Sequence, residues 1–220
     1  MQVEQGMDWS ELFGNDNPLA LEIGCGTGHF VIQRALQQPE VNFVAIDIYN
    51  KGCWKTCKKI DALEMSNIRV ARTEAGALLK KGFAPGQLQA IYINCPDPWP
   101  KKRHRKRRLV NQNFLATALL RLAPAGDFYF SSDVADYAMD VAALLKSHCA
   151  FRNCLERPLV NRLPDYPISK YMQRFLDKGQ LIYFAHFQRD PNVSEQEIRE
   201  ISPPEPASGF RSRRLRVHNE

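Results

Sequence analysis

Leu19-Ala20-Leu21-Glu22-Ile23-Gly24-Cys25-Gly26-Thr27-Gly28 is an apolar run, broken only by Glu22, that ends in three alternating glycines. A short apolar run bounded by turn residues reads as a strand buried on both faces. The glycines let the backbone turn sharply and approach a ligand closely. His29 to Leu36 then has helical spacing, and Pro39 stops it. Strand, glycine turn and helix together are the first unit of an α/β sheet. A dinucleotide fingerprint needs G-x-G-x-x-G, but His29 stands where that third glycine belongs. Glu22 would also be unfavourable beside a pyrophosphate.

Working outward, strands are expected at Val41–Ile48, Ile68–Ala71, Leu88–Ile93, Asp127–Ser132, Phe151–Leu155 and Leu181–Gln188. Helices are expected at Tyr49–Met65, Ala75–Lys80 and Val134–Lys146. Another starts near Arg107, with Leu109, Val110, Phe114, Leu115, Ala118, Leu119 and Leu122 on one face and Pro124-Ala125-Gly126 ending it. The alternation implies a mostly parallel seven-stranded sheet with helices on both faces. At 220 residues the chain suits one such domain. Its expected limits are residues 19–189, after an arm (1–18) with Trp9, Leu12 and Phe13 as anchors. Residues 190–220 turn rich in Pro, Ser and Glu and end in Arg211, Arg213, Arg214 and Arg216, which reads as a disordered tail with a basic tip.

Ligands of parallel sheets bind at the carboxyl ends of the strands. The residues at those ends are Gly24–Gly28, Asp47, Glu74, Asp97 and Asp133. The glycine pattern resembles the first motif of S-adenosylmethionine-dependent methyltransferases. Asp47, about 20 residues on, is placed to hold two ribose hydroxyls. Glu74 is placed for an adenine amino group.

Residues 96–108 read Pro-Asp-Pro-Trp-Pro-Lys-Lys-Arg-His-Arg-Lys-Arg-Arg. The prolines fix φ and remove donors, so a stiff irregular turn is expected. Of the eight residues Lys101–Arg108, all but His104 are Lys or Arg, whereas the whole chain carries only +6. So concentrated a charge points to a polyanion, and Trp99 is a candidate surface for stacking a base or an anchor for the turn. The six cysteines form no C-x-x-C pair and no zinc spacing, so reduced thiols, no metal and a cytoplasmic setting are expected. No stretch approaches the ~20 apolar residues of a membrane span, and no signal peptide is read at the start.

Taken together these motifs resemble the bacterial tRNA (guanine-N7)-methyltransferases, a Rossmann-like S-adenosylmethionine methyltransferase fold. Pro96-Asp97-Pro98-Trp99 with Lys101 and Arg103–Arg108 carries most of the likeness. Leu21-Glu22-Ile23-Gly24, Ser132-Asp133 with Tyr137, and Ser169-Lys170-Tyr171 carry the rest. The resemblance implies that Glu22, Gly24, Gly26, Asp47, Glu74 and Asp97 bind S-adenosyl-L-methionine, and that Asp97 is catalytic. It implies that Lys101, Asp133 and Ser169 meet the substrate, and that Arg103, His104, Arg105, Lys106, Arg107 and Arg108 hold tRNA. No obligatory protein partner is implied. Met172 stands where the family has a glutamate, and Asn94-Cys95 replace two apolar residues. A glutamate at 172 could accept from guanine N1–H and its amino group, so a second reading stays open: a chain that binds cofactor and RNA but transfers weakly, or acts on another substrate.

Overall fold

The computed structural model describes residues 6–201. Its strands are β1 (Leu19–Ile23), β2 (Asn42–Asp47), β3 (Ile68–Arg72), β4 (Leu88–Asn94), β5 (Leu122–Ser132), β6 (Phe151–Asn153) and β7 (Tyr183–Arg189). They form one sheet in the order β3-β2-β1-β4-β5-β7-β6. Strands β3 to β5 pair in parallel, and β7 runs antiparallel to both of its neighbours. The expected mostly parallel α/β sheet is what forms.

The continuous apolar reading of the strands follows from burial on both faces. Leu19, Leu21, Val44, Ile46, Ile91 and Phe128 face one core, built with α1 (Trp9–Phe13), α4 (Ala75–Lys81), α5 (Gln112–Arg121) and α6 (Ala135–Ser147). Ala20, Phe43, Ala45, Ala90 and Tyr92 face the other, under α2 (His29–Gln37), α3 (Asn50–Ala62) and α7 (Lys170–Leu176). Each fully buried Leu, Ile or Phe removes enough apolar area to contribute about 1.5–3 kcal/mol.

The arm is docked. Asp8 caps α1, Trp9 stacks on Phe83 at 5.0 Å, and its Nε1–H donates to Gly82 O at 2.7 Å. Trp9 and Phe13 are the buried anchors, while Leu12 stays at the surface.

Three sequence expectations need correction. Residues Lys102–Arg107 form a 3₁₀ segment, and the helix expected from Arg107 begins instead at Gln112. Asn111 caps it, its side chain accepting from Phe114 N–H at 3.1 Å, so Leu109 and Val110 lie in the approach and not on the helix. Pro124-Ala125-Gly126 does not end that helix. It bulges within β5, where the pairing jumps from Leu88–Leu122 to Ala90–Asp127. The proposed tail starts too early: α8 (Glu195–Ile201) packs beside α5 through the fully buried Ile198. The basic tip of that tail lies outside the described residues.

Candidate active site

The period of two puts Glu22, Asn94 and Ser131 on one face of three adjacent strands, at their carboxyl ends. Asn94 is the hub. Its Oδ1 accepts from Tyr166 O–H at 2.8 Å and Ser131 O–H at 3.1 Å, and its Nδ2 donates to Glu22 Oε1 at 3.5 Å. Glu22 is 2% exposed, and its Oε2 has no partner among the described residues. Burial, helped by the charge of Asp47, pushes its carboxyl up to about 8 despite the Asn94 contact. Asn94 had entered the sequence reading only as a departure from a family pattern. Its place on the face of Glu22, one strand over, was the available signal.

That raised carboxyl has a testable consequence. Between its unfolded value of 4.5 and about 8 the folded protein binds an extra proton, so stability falls as pH rises through this window. The slope approaches about 1.4 kcal/mol per pH unit at most. Denaturation midpoints of the ligand-free protein should decline across the window, and Glu22→Gln should remove that decline. A flat wild-type profile would contradict the burial argument.

The glycine loop sits over this floor. Gly24 and Gly26 have φ of +81° and +55°, and a Cβ on either would project into open space, so the loop leaves a cradle. Asp47, at the end of β2, braces it. Its Oδ2 accepts from Gly26 N–H and its Oδ1 from Tyr49 N–H, each at 2.8 Å. Behind the loop α3 comes so close that a Cβ on Gly52 would lie 2.4 Å from Gly26 O.

The Pro-Asp-Pro-Trp turn forms the far wall. Cys95 and Trp99, at its two ends, hold φ of +45° and +42°, unfavourable for side-chain-bearing residues. Cys95 N–H donates to Ser131 O at 3.0 Å. Arg108 Nε–H donates to Pro98 O at 2.9 Å. The Arg108 guanidinium also bonds Asp140 at 2.5 Å and Asp136 at 2.6 Å on α6. Arg108 is 6% exposed, so the expectation that it binds RNA is corrected: it pins the turn. Arg105 is half-buried and pairs with Asp136 too. Arg103, Lys106 and Arg107 remain exposed, and His104 is half-buried. The half-buried Trp99 ring carries Arg107 at 4.9 Å and the edge of His104 at 5.9 Å.

Arg108 and Arg103 should therefore fail differently. Arg108→Met should cost about 1–3 kcal/mol of stability, as charge-assisted bonds to half-exposed carboxylates are lost. Arg103→Met should leave the melting temperature unchanged and flatten the salt dependence of RNA binding. Equal effects on melting would contradict the placement.

Helix α7 covers the cleft. Ser169 caps it, accepting from Met172 N–H at 3.1 Å, and so orients Lys170 and Tyr171 along the cleft. The Tyr171 phenol is pushed up by partial burial and by the charges of Asp133, Cys95 and Asp97. Met172 is fully buried in the apolar cluster that holds Phe30, Tyr166 and Ile182, and it is not among the residues lining the cleft.

One cleft of about 250 Å³ is thus lined by Glu22, Gly24, Gly26, Asn94, Asp97 and Ser169, among others. Asp47 stands behind its loop, and Asp133, expected at the site, is not among the lining. Glu74, exposed at the start of α4, and Lys101, exposed before the 3₁₀ segment, are not among its lining. The unpaired Glu22 oxygen suits a cationic ligand group, and the open cradle over it suits an extended one. On the same sheet face, Asp127, Cys154 and His186 bring their ligand atoms within 4.8 Å of one another, a grouping the sequence spacings did not reveal. There Asp127 and His186 already pair at 2.8 Å.

Comparison with known proteins agrees with this geometry. The family described as "Putative methyltransferase" matches residues 16–185. A tRNA (guanine-N(7)-)-methyltransferase of Syntrophotalea carbinolica is 52% identical over 93% of this chain and 87% of its own length. The protein of the same name from Geobacter metallireducens is 49% identical over 83% and 87%. Among solved structures, the 16S rRNA methyltransferase KamB superposes with a TM-score of 0.62 at 13% identity, over 86% of this chain and 97% of its own. An antibiotic-related methyltransferase gives 0.60 at 17% identity, over 86% and 98%. At such identities these two speak for the fold, while the close relatives speak for the family. The chain belongs to the tRNA (guanine-N(7)-)-methyltransferase family.

Proposed function

We propose that the chain transfers a methyl group from S-adenosyl-L-methionine to N7 of a guanosine in the variable loop of tRNA. The carrying observation is the cleft that joins the Glu22–Asn94 floor and open glycine loop to Asp97, whose turn leads directly into the cationic block. Bound there, the cofactor supplies an electrophilic methyl on a sulfonium. Glu22, desolvated and half-unpaired, would hold the ammonium of its amino acid end. Asp47, fixed by Gly26 and Tyr49, takes the ribose. Glu74 stands one strand further out, at the adenine end.

Guanine N7 has a free lone pair and no proton, so attack needs no general base. The work of the protein is alignment. Asp97 lies between two prolines in a turn held by Ser131 and Arg108, so the backbone that carries its carboxylate is fixed before the reaction. Positive charge passes from the sulfonium to the purine, and a fixed carboxylate beside that path stabilises the transition state. Tyr171, Asp133, Ser169 and Lys101 frame the entrance for the base, which must leave its stack to reach the cleft. Arg103, Lys106, Arg107 and His104 meet the RNA backbone, which positions the strand without reading its sequence.

No helix among the described residues is long and apolar enough to cross a membrane. All six cysteines are free. Both fit work on tRNA in the reducing cytoplasm. The test is incubation with labelled cofactor and unmodified tRNA transcripts, with and without a guanosine in the variable loop, followed by mapping of the modified base. Label at that guanosine is the expected result. Transfer to another position, or to none, would overturn the reading.

A further inference from the structure

A second cationic group lies across the cleft from the Arg block, and none of the roles above uses it. Lys59, on the third turn of α3, donates to Thr27 O at 2.8 Å and to His29 Nε2 at 3.0 Å. The ammonium donates, so the neutral ring carries its proton on Nδ1. His29 and Lys170 both line the cleft beside Thr27. Burial, then Lys59 and Lys170, push the His29 imidazole down. Burial, then Lys170 and Lys55, push the Lys59 ammonium down. The three groups are therefore close enough to feel one another.

Among the described residues neither Lys59 nor Lys170 forms an ion pair with an Asp or Glu. Arg105 and Arg108 of the other block have Asp136 and Asp140. Like charges gathered without a counter-ion destabilise a fold unless an anion relieves them. The charge also continues outward. Lys55 and Lys58 are exposed on the same helix, and the Lys58 ammonium sits 3.9 Å above the exposed Trp54 ring. A single small carboxylate would need only the corner. A polyanionic strand would use the whole track.

Sheet order fixes the geometry of the two groups. Helix α3 follows β2 and the Arg block follows β4, while β1 with its glycine loop lies between them. We infer that His29, Lys59 and Lys170 form a phosphate-binding corner that holds the RNA backbone on the opposite side of the target nucleotide from Arg103 and Arg107. The strand is then gripped on both flanks of the base that enters the cleft. This rests on the proposal that RNA is the substrate.

The test uses the full chain with Lys170→Ala and Lys59→Met made singly, and measures tRNA binding against salt and S-adenosylhomocysteine binding by calorimetry. Each variant should weaken tRNA binding about 10–100-fold, the size of one charge-assisted contact. Each should also reduce the slope of log affinity against log salt by about 0.7–0.9. S-adenosylhomocysteine affinity should hold for Lys170→Ala, which removes no contact to the loop. Weakened S-adenosylhomocysteine binding with an unchanged salt slope would overturn the inference in favour of a carboxylate of the cofactor. No change in either would reduce the corner to a brace for Thr27. Wild-type protein that binds tRNA but methylates none would fail the functional reading instead, and the salt slopes would still judge the corner.

Discussion

Asp97→Ala should lower the methyl-transfer rate by about 10²–10³-fold, the usual consequence of removing one preorganised electrostatic group from a transition state. The loss should fall on kcat. S-adenosylhomocysteine binding should drop only partly, because Glu22 and Asp47 hold the proposed cofactor site from other strands. Tight tRNA binding should also persist, since the exposed Arg103 and Arg107 are untouched. The turn itself is fixed by Cys95 N–H on Ser131 O and by Arg108 on Pro98 O, so it should keep its shape without the carboxylate. Melting should shift little. Single-turnover kinetics with saturating tRNA isolates the chemical step. Turnover close to wild type would mean that Asp97 only shapes the turn, and the proposed route of charge stabilisation would be wrong.

The parts of the fold that were legible in the sequence were those set by local pattern. Leu19–Ile23 and Phe43–Ile46 are fully buried on both faces, and such strands announce themselves as apolar runs, the first broken only by Glu22. The glycine loop was legible because its backbone requirement is local. Arg108 was not. In sequence it is one of seven similar cations, and what separates it from Arg103 is Asp136 and Asp140, about a turn apart on α6. Long-range partners of this kind leave no mark at the position they select. The start of α5 was misread for a related reason. Leu109 and Val110 extend the apolar face, but Arg108 is tied to α6, and Asn111 starts the helix after it. Ile198 lay in a polar, acidic segment whose composition hid one buried side chain.

The cleft was half legible. Asp97, Gly24 and Gly26 were found because each follows a strand and the sheet brings strand ends together, whereas Glu22 came only from the family resemblance. The same rule admitted Glu74, which the third strand carries to an exposed place outside the cleft lining. The rule could not find Lys59, which reaches the loop from the middle of a helix.

Met172→Glu should destabilise the protein by about 3 kcal/mol or more and should raise no transfer rate. In the sequence Met172 looked like a lost guanine contact, because the family glutamate falls on that number. In the structure its side chain is fully buried in the apolar cluster that holds Phe30, Tyr92, Tyr166, Ile182 and Phe184, and it is not among the residues lining the cleft. The motive for reading the chain as a binder that transfers weakly goes with it. A carboxylate in that core would lose both its hydration and the packing of the thioether. Burial would raise its pKa, so the deficit should be small near pH 5 and grow as the pH rises and the group is forced to ionise. A candidate partner is Arg34, which lies over the Tyr92 and Tyr166 rings of the same cluster at 5.4 Å from each and whose Nε has no partner among the described residues. If Arg34 swung in to pair with the new carboxylate, the pH trend would reverse and the deficit would shrink toward neutral pH. Thermal denaturation of both proteins at pH 5 and pH 8, with turnover measured per folded molecule, separates these cases. A faster enzyme of undiminished stability would put residue 172 back in the guanine site and overturn its assignment to the core.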